Sequence, residues 1–172
     1  MEIIDNEIIV FDTETTGLSY KDQILSLSIV NGCGDVLFDE LIRPKWKKRW
    51  PEAQRIHHIS PEMVKDKQTI TPHKKKIQEI FDNAKVIVGY NVNYDLGFIK
   101  KAGIVLKDQE IIDVMEDFAE IYGEWNDYYE TYKWQKLSTC ADYYGYKWDG
   151  DAHSSLADTK ATLYCFKKIH EK

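Results

Sequence analysis

A chain of 172 residues is long enough for one domain with a sizeable core and leaves little room for two. Its 43% hydrophobic and 13% aromatic content excludes a disordered composition, and no apolar run approaches the roughly 18–20 residues that cross a bilayer. The net charge of −6 argues against a general nucleic-acid binder, but its distribution is uneven: Arg43–Arg55 carries six basic residues and one acid, whereas Asp108–Glu130 carries nine acids and no Lys or Arg.

The opening Met1-Glu2-Ile3-Ile4-Asp5 mixes acids with apolar residues and lacks a basic stretch, so no ordinary secretory signal is expected. Cys33, Cys140 and Cys165 are odd in number, far apart and without a CxxC pair, and they read as free thiols in a reducing compartment. A soluble, cytoplasmic protein with no membrane association is the expectation.

The predicted elements run as follows. Glu7–Asp12 reads as a buried strand. Ile24–Val30 alternates apolar and polar residues, the pattern of a half-covered strand. A turn over residues 31–35 leads into a third strand, Val36–Ile42, and so to an antiparallel meander. A long basic loop follows, interleaving Lys and Arg with Trp46 and Trp50. Such a loop suits phosphates and unpaired bases, or serves to anchor a Trp in the core. Ser60-Pro61-Glu62 starts a short helix and Thr71-Pro72 a longer one ending near Asn83. Lys85–Tyr90 is a buried strand, Asn93–Ala102 a helix, and Glu110–Asp113 a short strand ending in a helix cap. The aromatic and acidic segment 122–134 is expected to pack over the helices as a cover, with a protein-contact surface as the alternative. Gln135–Tyr144 and Ser154–Ile169 close the chain as helices. Early strands followed by alternating helices and strands predict an α/β fold, a mixed sheet with helices on both faces, in one domain over residues 1–172.

Three acidic stations stand where strands or loops meet helices. The first is Val10-Phe-Asp-Thr-Glu-Thr-Thr-Gly17. Residues two apart on a strand point the same way, so Asp12 and Glu14 converge at its tip. Like charges placed together are costly unless a cation lies between them, and oxygen-only ligands favour Mg²⁺ or Mn²⁺ over zinc. The second is Gly89-Tyr-Asn-Val-Asn-Tyr-Asp95, where Asn93 and Asp95 also suit a helix cap and first turn. The third is Asp151-Ala-His-Ser-Ser-Leu-Ala-Asp158, where Ser154 or Ser155 also suits a cap. Together they supply four carboxylates and one imidazole, the equipment for two-metal hydrolysis of a phosphodiester, with the imidazole taking a water proton.

In this order and spacing, FDTETTG, GYNVNYD and HSSLAD resemble the His-bearing branch of the DEDD exonuclease superfamily, the DnaQ-like 3′–5′ exonucleases related to the proofreading epsilon subunit of bacterial DNA polymerase III. The resemblance implies a ribonuclease-H-like mixed sheet of about five strands flanked by helices. It implies that Asp12, Glu14, Asp95 and Asp158 hold two divalent cations, Mg²⁺ or Mn²⁺, and that His153 is the general base. It implies hydrolysis from the 3′ end of single-stranded nucleic acid, DNA ahead of RNA, with a DNA polymerase subunit as a candidate partner. Thr15, Thr16 and Leu18 follow the first acids where relatives hold the terminal nucleotide. Arg55-Ile-His-His-Ile59 resembles the family's Ile-His-Gly-Ile segment, which brings His57 to the terminal base and puts His58 where the family has Gly. Asn91 of the second motif completes the substrate set. The rival readings are an exoribonuclease and a non-catalytic binding module; the intact set of five residues argues against the module.

Overall fold

In the computed structural model, which describes residues 5–148 and 154–170, strand β1 (Ile8–Thr15) lies at the middle of a five-stranded sheet. β2 (Ile24–Asn31) pairs antiparallel with β1, and β3 (Val36–Leu41) antiparallel with β2. On the other side β4 (Val86–Gly89) and β5 (Glu110–Asp113) run parallel to β1, giving the order β3-β2-β1-β4-β5. The mixed α/β sheet is the one that the meander and the later alternation predict.

Helices cover both faces. On one, α3 (Ile70–Asn83) and α4 (Val92–Lys101) close over Ile9, Phe11, Leu27, Ile77, Phe81 and Leu96. On the other, α5 (Val114–Tyr122), α6 (Leu137–Tyr143) and α7 (Ser155–His170) close over Val10, Val30, Val88, Phe118 and Cys165. Successive residues of β1 feed opposite cores, which is why Ile9-Val10-Phe11 is apolar without alternation. All three cysteines are free. Among the described residues no helix is long and apolar enough to cross a membrane.

Three expectations are corrected. β2 is not half-covered: all eight of its residues are buried. The cause is the first turn of α7, where the Ser155 hydroxyl sits 2.6 Å from that of Ser26 and 2.7 Å from that of Ser28. Small polar side chains there let the helix approach the strand closely while satisfying one another. The period-two pattern located the strand, but the polar face meets a helix and not water.

The second correction lies in the basic loop. Its latter part is a helix, α1 (Pro51–His57), with Pro51 at the first position and His58 ending it in the left-handed region at φ 61°. His58 therefore holds a conformation that glycine adopts freely and other residues only at a cost of roughly 1 kcal/mol. Trp50 is buried and its indole donates to the Ile59 carbonyl at 2.7 Å, so of the two Trp it is the anchor, while Trp46 is exposed. Trp50 and Ile59 join Leu25 and Val64 in a small third core below α2 (Pro61–Val64). The third correction concerns segment 122–134. Its first residue, Tyr122, ends α5 and packs on Tyr143 of α6, but most of the rest stands exposed as a hairpin of β6 (Trp125–Asn126) and β7 (Thr131–Tyr132), with Trp125, Tyr128 and Tyr129 open to solvent.

Candidate active site

Asp12 and Glu14 extend the Val10 side of β1, opposite Ser28 and Ser26 of β2 in the ladder. This is the face on which α7 packs, and Ser154 fixes the start of that helix by accepting from the Ala157 amide. Asp158, in the first turn of α7, is thereby brought to the strand tip. One carboxylate oxygen each from Asp12, Glu14 and Asp158 lies within 4.8 Å of the others. Asp95 arrives from the opposite face, at the start of α4. Its Oδ1 accepts from the Thr13 amide at 3.0 Å and from the Thr13 hydroxyl. Gly89 makes this possible, because a Cβ there would lie 2.8 Å from the Val92 side chain and push the start of α4 away.

The electrostatics are those of anions confined together. Burial, and then the charges of Asp95, Glu14 and Asp158, push the Asp12 carboxyl well above the usual carboxylate range. Burial with Asp158 and Asp95 pushes Glu14 up to about 8. Burial pushes Asp95 up to about 7, against the hydrogen bonds from Thr13. A divalent cation fits this donor set. The 4.8 Å spread is about twice a metal–oxygen bond of roughly 2.1–2.5 Å, so one ion can touch all three carboxylates, and oxygen is the donor that hard cations take.

The loop after β1 is shaped by a residue that the motif reading overlooked. Asp22 is buried, and its carboxylate accepts from the Thr16 hydroxyl at 2.7 Å and from the amide and hydroxyl of Ser19 at 2.9 Å. Lys47 from the basic loop pairs with Asp22 and also donates to the Thr16 carbonyl at 3.1 Å. Burial raises the Asp22 carboxyl, but the bonds from Lys47, Thr16 and Ser19 outweigh it and hold it well below the usual range. Gly17, at φ 151°, is required because a Cβ would lie 2.7 Å from an Asp22 oxygen. Asp22→Ala, which strands these donors, is expected to cost about 2–4 kcal/mol and to raise KM far more than it lowers kcat. Denaturant unfolding and steady-state kinetics check this; a KM equal to that of the parent protein would count against a shaping role.

The structure collects most of the predicted substrate residues in one cavity of about 730 Å³, lined by Thr15, Thr16, Leu18 and His57, with Glu14 at its edge. Leu18 is 87% exposed and lines the cavity together with Ile56, so both offer open apolar surface. Thr16 keeps its amide on the Gln23 carbonyl and its hydroxyl on Asp22, so it supports the wall. His57 is no surface residue. Its Nδ1 accepts from the Ile59 amide at 3.0 Å, so the proton sits on Nε2, which donates to the Thr15 carbonyl at 3.1 Å. Chiefly through burial, its pKa is lowered and the ring stays neutral, and it can offer a ligand only its ring surface. Asn91 lies elsewhere, lining a second cavity beside Asp158. His153 lies outside the described residues. Tyr94, whose hydroxyl is 2.8 Å from that of Thr15 and 3.2 Å from the Gly17 carbonyl, was missed although it immediately precedes Asp95 in the motif. Lys47 and Arg49 also line the larger cavity, so the basic loop borders it as its composition suggested.

A ribonuclease-H-like sheet carrying clustered carboxylates at the tip of its central strand has the donors that a metal-assisted nuclease needs. Residues 9–166 match the RNase T exonuclease family model, and the chain belongs to that family as an exonuclease. The uncharacterized exonuclease CP81 of Escherichia phage 186 is 28% identical over 170 residues, which cover 93% of this chain and 86% of that protein. The PolC-type DNA polymerase III of Caldanaerobacter subterraneus subsp. tengcongensis is 29% identical over 98% of this chain, and the 3′–5′ exonuclease DinG of Bacillus subtilis is 29% identical over 95%. The chain spans only 12% and 18% of those two proteins. Among solved structures, a zinc-bound complex of E. coli ExoI with single-stranded DNA superposes with a TM-score of 0.73 at 18% identity, over 96% of this chain and 41% of that one. That likeness establishes the shared fold.

Proposed function

We propose that residues 1–172 form one exonuclease domain that removes mononucleotides from the 3′ end of single-stranded nucleic acid, DNA ahead of RNA. In this reading Asp12, Glu14, Asp95 and Asp158 hold two divalent cations, Mg²⁺ or Mn²⁺, and His153 is the general base. The observation that carries the reading is the convergence of Asp12, Glu14 and Asp158 within 4.8 Å beside an open groove with an apolar lip and a basic rim. When bound, the cations offset the carboxylate charge, bind the phosphate and lower the pKa of a water. The chain's own residues do the rest. Leu18 and Ile56 give the terminal base an apolar seat, the Thr15 and Tyr94 hydroxyls face the sugar, and Lys47 and Arg49 attract the strand. His153 takes the proton of the attacking water at its imidazole nitrogen.

The PolC-type relatives support a DNA polymerase as a partner. A cytoplasmic location fits the three free thiols. The test uses 5′-labelled single-stranded DNA and RNA of matched sequence, with Mg²⁺ or Mn²⁺ and with chelator. A metal-dependent ladder that shortens from the 3′ end, faster on DNA and absent in Asp158→Asn, is the expected result. Faster loss of the RNA would move the substrate to RNA, and no ladder on either strand would overturn the reading.

A further inference from the structure

Two cavities flank the acidic cluster. Glu14 opens into the groove of about 730 Å³, while Asp158 opens into another of about 450 Å³, lined among the described residues by Asn91, Trp134, Lys136 and Trp148. Oxygens of Glu14 and Asp158 lie within 4.8 Å of each other, so the two spaces meet at the carboxylates. A strand whose cleaved phosphate rests there must send its terminal nucleotide to one side and the preceding one to the other. The first groove has the apolar lip that seats the terminal base.

We infer that the cavity of about 450 Å³ takes the nucleotide immediately 5′ of the cleaved phosphate, with Trp134 stacked on its base and Lys136 against the phosphate that follows. The inference rests on the exonuclease reading above.

Trp134 is suited to this because it is both held and bare. Its neighbour Gln135 accepts a hydrogen bond at its carbonyl from the Tyr90 hydroxyl, at 2.8 Å, and its side-chain amide donates to Glu124 at 3.0 Å. On the other side Lys133 donates its amide to the Glu124 carbonyl at 2.8 Å and pairs its ammonium with the Glu124 carboxylate at 2.7 Å. The backbone on both sides of Trp134 is thus fixed, yet the residue is 65% exposed and its ring stacks on no other ring among the described residues. An indole held open in this way is a preformed platform that loses little freedom on stacking. The acidic surroundings, which would repel a phosphate, are offset locally: Glu124 is neutralised by Lys133, and Lys136 has no carboxylate partner among the described residues. Asn91, the one predicted substrate residue outside the first groove, lines this cavity as well.

The test compares the parent protein, Trp134→Ala and Trp134→Phe, with Mn²⁺, on two substrates: a single-stranded DNA ten-mer and the same strand abasic at the penultimate position. Trp134→Ala is expected to raise KM on the ordinary strand roughly tenfold, and Trp134→Phe to recover most of that. The abasic strand should raise KM for the parent protein similarly, with no further loss in Trp134→Ala, because the same stack is then already missing. Melting temperature and Mn²⁺ affinity should be equal in all three proteins, which separates a lost stack from a lost fold. An unchanged KM in Trp134→Ala, or losses that simply add, would overturn the subsite and leave the indole to a protein partner. A parent protein that cleaves neither strand would instead remove the exonuclease reading on which the inference stands.

Discussion

Asp12→Asn is expected to lower kcat by at least about a thousandfold and, in chelator, to raise the melting temperature by about 2–4 °C. Both halves follow from one fact: the carboxylates of Asp12, Glu14 and Asp158 are packed against one another in a partly dry site. On the proposed assignment, the lost charge in turnover is a lost metal ligand. In the metal-free protein it is a lost source of repulsion. The sign of the pH dependence follows. Glu14 is raised from 4.5 to about 8 and Asp95 from 3.8 to about 7, so the folded chain binds more protons than the unfolded one across roughly pH 4–8. Stability of the chelated protein therefore falls as pH rises through that window, the reverse of a salt-bridged acid. Mg²⁺ or Mn²⁺ should flatten the slope, and so stabilise more at pH 8 than at pH 5. Calorimetry of the parent protein and Asp12→Asn at both pH values, with and without metal, is the check. A chelated protein equally stable at both would mean that the carboxylates are not strained together, and a variant that retains its rate would sink the ligand assignment.

His153→Ala is expected to lose about 10²–10⁴ in kcat while keeping its affinity for Mn²⁺. An imidazole acting as general base must be neutral, so in the parent protein the rate rises with pH through the pKa of His153 and levels above it. In the variant that rising limb should disappear. This separates a base from a residue that merely supports the loop, since loss of a support would lower the rate at every pH and leave the profile's shape intact. A profile of unchanged shape in His153→Ala would point to another group as the base.

The acids of the site were legible because their chemistry forces their pattern. Acids two apart on a buried strand have few reasons to exist other than a cation, and Asp95 and Asp158 fall at helix starts that their own sequences announce. The mixed sheet was legible for a similar reason, since continuous apolar runs and short helices alternate cleanly. What was not legible depended on partners distant in the chain. Ser26 and Ser28 look solvent-facing until Ser155 is laid across them. Asp22 looks like one surface acid among many until Lys47, Thr16 and Ser19 close around it. His57 resembles a ligand contact by motif, yet both ring nitrogens are spent on the backbone. Two features were missed despite a local signal: α1, announced by the Pro51-Glu52 pair after Trp50, and Tyr94, which stands beside Asp95 in the motif.

The carboxylates come from three layers that pack separately: Asp12 and Glu14 from the central strand, Asp95 from the helix on one face, Asp158 from the last helix on the other. No two layers alone complete the set. A partly folded chain that has formed its strand tip and α4 but has not docked α7 holds Asp12, Glu14 and Asp95 without Asp158. The full carboxylate set exists only when α7 is docked, at the Ser155 junction with β2. Partial unfolding that releases that helix would silence the protein well before the sheet is lost.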